Sequence, residues 1–112
     1  MRLINPNLPR DAPVVFLQHG LFCDATFWVL DKEKSVAFQL ANAGFDVWMG
    51  NNRGSIYSRA NVNIDPSKNP SEFFDYSFFE LGQYDAVSQI DLVRQLTGKD
   101  KISYVGHSQG TT

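Results

Sequence analysis

Lys101-Ile102-Ser103-Tyr104-Val105-Gly106-His107-Ser108-Gln109-Gly110 decides how this chain is read. The first five residues, led by Ile, Tyr and Val, read as a buried β-strand. They run without a spacer into Gly-x-Ser-x-Gly. A serine placed this way sits on a sharp, strained turn, where larger side chains in place of the two glycines would collide with neighbouring backbone. Alone, the pentapeptide is moderately specific, because a Gly-rich turn carrying an ordinary serine has the same spelling. The context required is a strand before it and a helix after it. The strand is there, and only Thr111 and Thr112 follow.

Upstream, the chain alternates between strand and helix signals. Pro13-Val14-Val15-Phe16-Leu17 is a continuous apolar run of the kind found in parallel strands covered on both faces, and it ends at Gln18-His19-Gly20. A helix is predicted from about Lys34 to Ala43, with Val36, Ala37, Leu40 and Ala41 on one face and Gly44 as its stop. Phe45-Asp46-Val47-Trp48-Met49 is the next strand. Residues 50–76, rich in Asn, Ser and Pro, show no sustained period and read as a long loop, a feature more often functional than merely connecting. Ser77-Phe78-Phe79-Glu80 fits a capping box. Leu81, Tyr84, Val87, Ile90, Val93 and Leu96 follow at near-helical spacing, and Gly98 closes that helix.

This order predicts an α/β fold: a parallel sheet built strand-helix-strand-helix-strand, with right-handed crossovers. Ligands of such sheets bind at the carboxyl ends of the strands. Gln18-His19-Gly20-Leu21, Gly50-Asn51-Asn52-Arg53-Gly54 and the segment around Ser108 each follow a strand, so all three are expected on one edge. Residues 1–112 read as the N-terminal part of a single domain, incomplete after the turn at Ser108.

Composition excludes several classes. Of 112 residues 43% are hydrophobic and 20% charged, which suits a globular chain. The net charge of -2, with Lys and Arg dispersed, gives no basic stripe for nucleic acid. No apolar run reaches the ~18 residues of a membrane span, and the first ten residues lack the apolar core of a signal peptide. Cys23 is alone, so no intrachain disulfide or thiolate metal cluster is expected, and it reads as a small buried packing residue. No cofactor and no metal are called for.

The chemistry that this pattern suggests is acyl transfer to water. A serine nucleophile needs a base, a group to orient that base, and N–H donors aimed at the developing oxyanion. In strand–turn–helix sites of this kind one donor is the N–H of the residue after the nucleophile, here Gln109, and the other comes from the loop after an earlier strand, here Leu21. Ser108 is the candidate nucleophile. His107, its chain neighbour, is poorly placed to take its proton in line. His19 could form a His-Asp-Ser order with Asp46 or Asp65, but that order belongs to hairpin-rich sequences. We expect His19 to shape the oxyanion loop by hydrogen bonding, and Arg53 to brace its loop through an ion pair.

Three stretches together resemble the acid lipase family, which includes the gastric and lysosomal acid lipases. They are Pro13 to Leu21, Ala41 to Asn51, and Tyr104 to Thr112. The aromatic segment Phe73-Phe74-Asp75-Tyr76-Ser77-Phe78 is similar to that family's as well. The likeness runs from about Pro13 to the last residue. It implies an α/β-hydrolase that cleaves triacylglycerols or steryl esters in lipid catabolism, in a secreted or lysosomal setting. It also implies a lipid ester substrate and transient contact with a lipid interface. The resemblance transfers the nucleophile to Ser108 and the oxyanion amides to Leu21 and Gln109. It assigns no triad acid or histidine within the chain, which is therefore expected to be inactive alone. Two alternatives stay open from sequence: a truncated, non-catalytic product or gene-model fragment, and another activity of the same fold, such as thioesterase, acyltransferase or peptidase.

Overall fold

The computed structural model describes residues Met1–Thr112. Four strands form one sheet: β1 (Arg2–Leu3), β2 (Val14–Gln18), β3 (Asp46–Met49) and β4 (Ser103–Gly106), in the order β1-β3-β2-β4. β2 pairs parallel with β3, Val15 opposite Val47, and parallel with β4, Phe16 opposite Tyr104. β1 pairs antiparallel with β3, so the sheet is mixed rather than purely parallel. Two residues give no readable period, and this strand was invisible in the sequence. It is held by its partner: Arg2 donates from Nε (2.8 Å) and a terminal nitrogen (3.0 Å) to the buried carboxylate of Asp46.

β2 is buried along its whole length because both faces are covered. Alternate side chains leave opposite sides of a strand. Val15 and Leu17 join Val47 and Met49 in a cluster with Ala25, Trp28, Ala37 and Ala41, under helix α1 (Val36–Asn42). Val14 and Phe16 point the other way, toward Val93 with Ile90 and Trp48 packed alongside. The continuous apolar run at 14–17 is thus explained by two cores, one on each side.

α1 begins later than predicted. A separate 3₁₀ turn at Lys32–Lys34 precedes it, and Ser35 intervenes in extended conformation. The long segment after β3 is irregular except for one helical turn, α2 (Pro70–Phe73), which buries Phe73. The capping box forms: Ser77 Oγ accepts from the Phe79 amide (3.2 Å), and the Glu80 carboxylate accepts from the Ser77 amide (2.7 Å). The helix then runs through α3 (Phe78–Glu80), a π-helical stretch at Leu81–Ala86 and α4 (Val87–Thr97), ending at Gly98. Its predicted apolar stripe is only partly used. Val93 is buried, whereas Tyr84, Val87 and Leu96 remain exposed, because residues spaced by three drift around a helix of 3.6 residues per turn.

β4 corrects a further expectation. It is an edge strand with β2 on one side only, so Tyr104 and Val105 are exposed rather than buried. No helix is long and apolar enough to cross a membrane.

Candidate active site

The three Gly-bearing segments meet at the carboxyl edge of the sheet, and the end of β2 is their common anchor. The Gln18 carbonyl accepts from the His107 amide at 3.0 Å, which fixes the turn after β4 to β2. The Gln18 side-chain amide donates to Asn52 Oδ1 at 3.0 Å, which fixes the loop after β3. Gly20 lies against the Ser108 turn: a Cβ on it would stand 3.0 Å from both the His107 carbonyl oxygen and Ser108 Cβ.

The turn itself is tight. Ser108 has φ +54°, the left-handed region that a serine enters only at a steric cost. Both flanking glycines are forced by close approach. A Cβ at Gly106 would fall 2.2 Å from the Gly110 carbonyl oxygen, and one at Gly110 would fall 2.5 Å from the Gln18 carbonyl oxygen. Neither obstacle is a side chain that could swing away. The Tyr104 hydroxyl donates to the Gly110 carbonyl at 2.7 Å and its ring stacks on Phe16, with centroids 5.8 Å apart. Although the residue as a whole is exposed, partial desolvation of its hydroxyl end raises the Tyr104 phenol above its ordinary pKa. The Ser108 side chain is exposed and enters no hydrogen bond within the chain.

Leu21 and Gln109 line one cavity of about 370 Å³, together with His19, Cys23, Asn52 and Tyr76. The backbone N–H groups of Leu21 and Gln109 donate to no acceptor in the chain. Cys23 is half-buried on the wall of this cavity rather than in the core, because the loop carrying it curves over the sheet edge. Phe22, 97% exposed and with φ +59°, projects from the same loop.

The two histidines differ sharply. His19 is buried, and both its ring nitrogens are occupied: Nδ1 lies 2.8 Å from the Gly20 carbonyl oxygen, and Nε2 accepts from the Asn52 amide at 3.1 Å. The expected loop-shaping role thus has two specific contacts. His107 turns its ring onto Phe27, with centroids 4.5 Å apart, and edge-on to Trp28. Neither histidine is hydrogen-bonded to a carboxylate, and Asp46 is engaged by Arg2. The His-Asp-Ser order considered for His19 does not form.

Arg53 braces its loop as expected. Its guanidinium contacts Asp85 at 2.7 and 2.8 Å, and the same carboxylate accepts from the Arg53 amide at 2.8 Å. The Tyr76 hydroxyl donates to the Arg53 carbonyl at 2.9 Å, and the Arg53 cation lies near the faces of Tyr76 and Tyr84. The hydrogen bond to Asp85 raises the Arg53 pKa further, and burial raises that of Tyr76. Sequence reasoning missed Asp85, one of several polar residues on its helix with nothing in the local pattern to single it out. It also missed Gln18 as an anchor, legible only as the polar residue that ends an apolar strand. No three His, Cys, Asp or Glu side chains gather where they could hold a metal ion.

A mixed α/β sheet with a strained serine turn at its carboxyl edge is the layout of the α/β-hydrolase fold. The family model for the alpha/beta hydrolase fold matches residues 13–112, and the chain belongs to that family. Within it, the chain is 52% identical over 101 residues to gastric triacylglycerol lipase of Rattus norvegicus, covering 89% of this chain and 25% of the relative. It is 48% identical over 101 residues to lysosomal acid lipase/cholesteryl ester hydrolase of Homo sapiens, with the same two coverages. To lipase lipl-3 of Caenorhabditis elegans it is 48% identical over 100 residues, covering 88% of this chain and 24% of the relative. The chain thus spans about a quarter of the length of the curated relatives it matches.

Proposed function

We propose that this chain supplies the nucleophile and both oxyanion donors of a serine hydrolase that cleaves carboxylic esters of lipids. One observation carries the reading: Ser108 stands at φ +54° between two glycines packed against backbone, while Leu21 and Gln109, whose amides donate to no acceptor in the chain, line a single cavity. Ser108 Oγ attacks the ester carbonyl carbon and loses its proton to a base. The carbonyl oxygen becomes an oxyanion that the Leu21 and Gln109 N–H groups hold. The carbonyl then re-forms, the alcohol leaves with a proton returned by the base, and water hydrolyses the acyl-enzyme by the same route. Each oxyanion donor is worth about 2.7–4 kcal/mol at the transition state. Neither histidine described here has the geometry of the base: His19 spends both nitrogens on backbone and His107 packs on Phe27. No residue of this chain is assigned as the base or its acid.

The substrate class follows from the relatives, whose names specify triacylglycerols and cholesteryl esters. A secreted or lysosomal setting and a transient lipid-interface contact belong to the same proposal. The test uses the full gene product on an emulsified triacylglycerol and a steryl ester. Ser108→Ala should abolish hydrolysis of both while the folded circular-dichroism spectrum persists. Turnover retained in Ser108→Ala, or a wild-type protein that cleaves only thioesters or peptides, would contradict the reading.

A further inference from the structure

The buried imidazole of His19 is not the base, yet both of its nitrogens have assigned work. A carbonyl oxygen only accepts, so Nδ1 facing the Gly20 oxygen at 2.8 Å must carry the proton. An amide N–H only donates, so Nε2 facing the Asn52 N–H at 3.1 Å must be bare. The two backbone partners therefore select one neutral tautomer. The Gly20 carbonyl belongs to the same planar peptide as the Leu21 N–H, and in a trans peptide the two point in opposite directions. Whatever fixes the Gly20 oxygen fixes the direction of the Leu21 N–H, and of its two donors His19 Nδ1–H, at 2.8 Å, lies closer than the Cys23 amide, at 3.3 Å.

We propose that His19 is a positioning residue that aims the Leu21 amide into the oxyanion hole by holding the Gly20 carbonyl on its Nδ1–H. The hold is referenced to the rest of the site. Asn52 is tied by its side chain to Gln18, and the Gln18 carbonyl holds the His107 amide at the start of the Ser108 turn. Leu21 N–H, reached through His19 and Asn52, and Gln109 N–H, reached through the turn, are thus both set from the last residue of β2. An oxyanion hole needs its donors within a few tenths of an ångström of the developing charge, and two donors indexed to one strand end keep their mutual spacing. Gly20, pressed against the turn, leaves the loop little other room.

The inference rests on the proposed hydrolase function, and the experiment separates the two. In the full gene product, His19→Asn keeps a donor near the Nδ1 position, whereas His19→Gln keeps only a group near Nε2 and His19→Phe keeps neither. On a soluble short-chain ester, His19→Gln and His19→Phe should lose kcat on the order of 100-fold with KM within about threefold, as for removal of one oxyanion donor. His19→Asn should recover most of that loss. Long-range ¹⁵N NMR of the wild-type protein should show His19 protonated at Nδ1 and bare at Nε2. Wild-type kcat in folded His19→Gln, a loss confined to KM, or an Nε2–H tautomer would overturn the positioning role while leaving the hydrolase reading intact. Absence of a fluorophosphonate adduct on wild-type Ser108 would overturn the hydrolase reading, and this inference with it.

Discussion

At Ser108 the backbone is held in a conformation that the residue does not favour. A non-glycine residue at φ +54° costs roughly 1–2 kcal/mol, and the structure tolerates it because Tyr104, Gln18 and both glycines over-determine the turn. Glycine at this position would remove the steric strain and give back part of the gain as unfolded-state entropy. Ser108→Gly should therefore be more stable than Ser108→Ala by about 0.5–1 kcal/mol in chemical denaturation of the full gene product, with both inactive. Equal stability, or a more stable alanine variant, would show that the turn is not strained as described. Gly110→Ala meets the Gln18 carbonyl at 2.5 Å, a clash that only backbone movement relieves. It should cost about 3 kcal/mol or prevent folding, and no wild-type activity should survive. Residues of this kind were legible in the sequence because glycine and serine in fixed order have few other uses after a strand. His19 was legible only as a hydrogen-bonding loop residue. Its partner Asn52 is 33 positions away, and nothing in local pattern reveals which backbone amide a distant loop will present.

At the scale of elements, the loop after β3 is positioned from the helix that follows it. Asp85 receives three donors from Arg53, one of them a backbone amide, and is itself only 11% exposed. Asp85→Ala leaves the guanidinium and that amide without their acceptor and should cost about 2 kcal/mol, read as a lower urea midpoint at unchanged m. Asp85→Asn, which still accepts from the amide, should lose less. An unchanged midpoint in Asp85→Ala would show that Tyr76 alone holds the loop. The helix start adds a pH dependence. Hydrogen bonds from the Ser77 hydroxyl and amide hold the Glu80 carboxyl below its ordinary pKa. A group with a lowered folded pKa stabilises above its unfolded value of about 4.3 and loses that contribution as pH falls through the folded value. Amide-exchange protection at the first turn of the helix should accordingly drop below about pH 4 and stay flat above about pH 5, and Glu80→Gln should remove the transition. The capping box was readable because both partners lie within four residues. The π-helical turn at Leu81–Ala86 was not, because the same apolar spacing is compatible with an uninterrupted α-helix.

At the scale of the whole molecule, β2 organises everything. Its odd and even side chains build the two cores, and its last residue indexes the loops that form the site. The alternation of apolar runs and helical periods made this α/β layout legible from sequence, as did the convergence of three Gly-bearing segments on one edge. The antiparallel β1 was not legible, since a two-residue strand has no period. The family match over residues 13–112 and the lipase relatives agree with that layout. What they leave to experiment is the role of Ser108. The most direct measurement treats the full gene product with a fluorophosphonate probe and maps the adduct by peptide mass spectrometry. The expected result is one stoichiometric adduct on the peptide containing Ser108, absent from Ser108→Ala and from heat-unfolded protein. An adduct on another serine, or none on folded protein, would contradict the central claim.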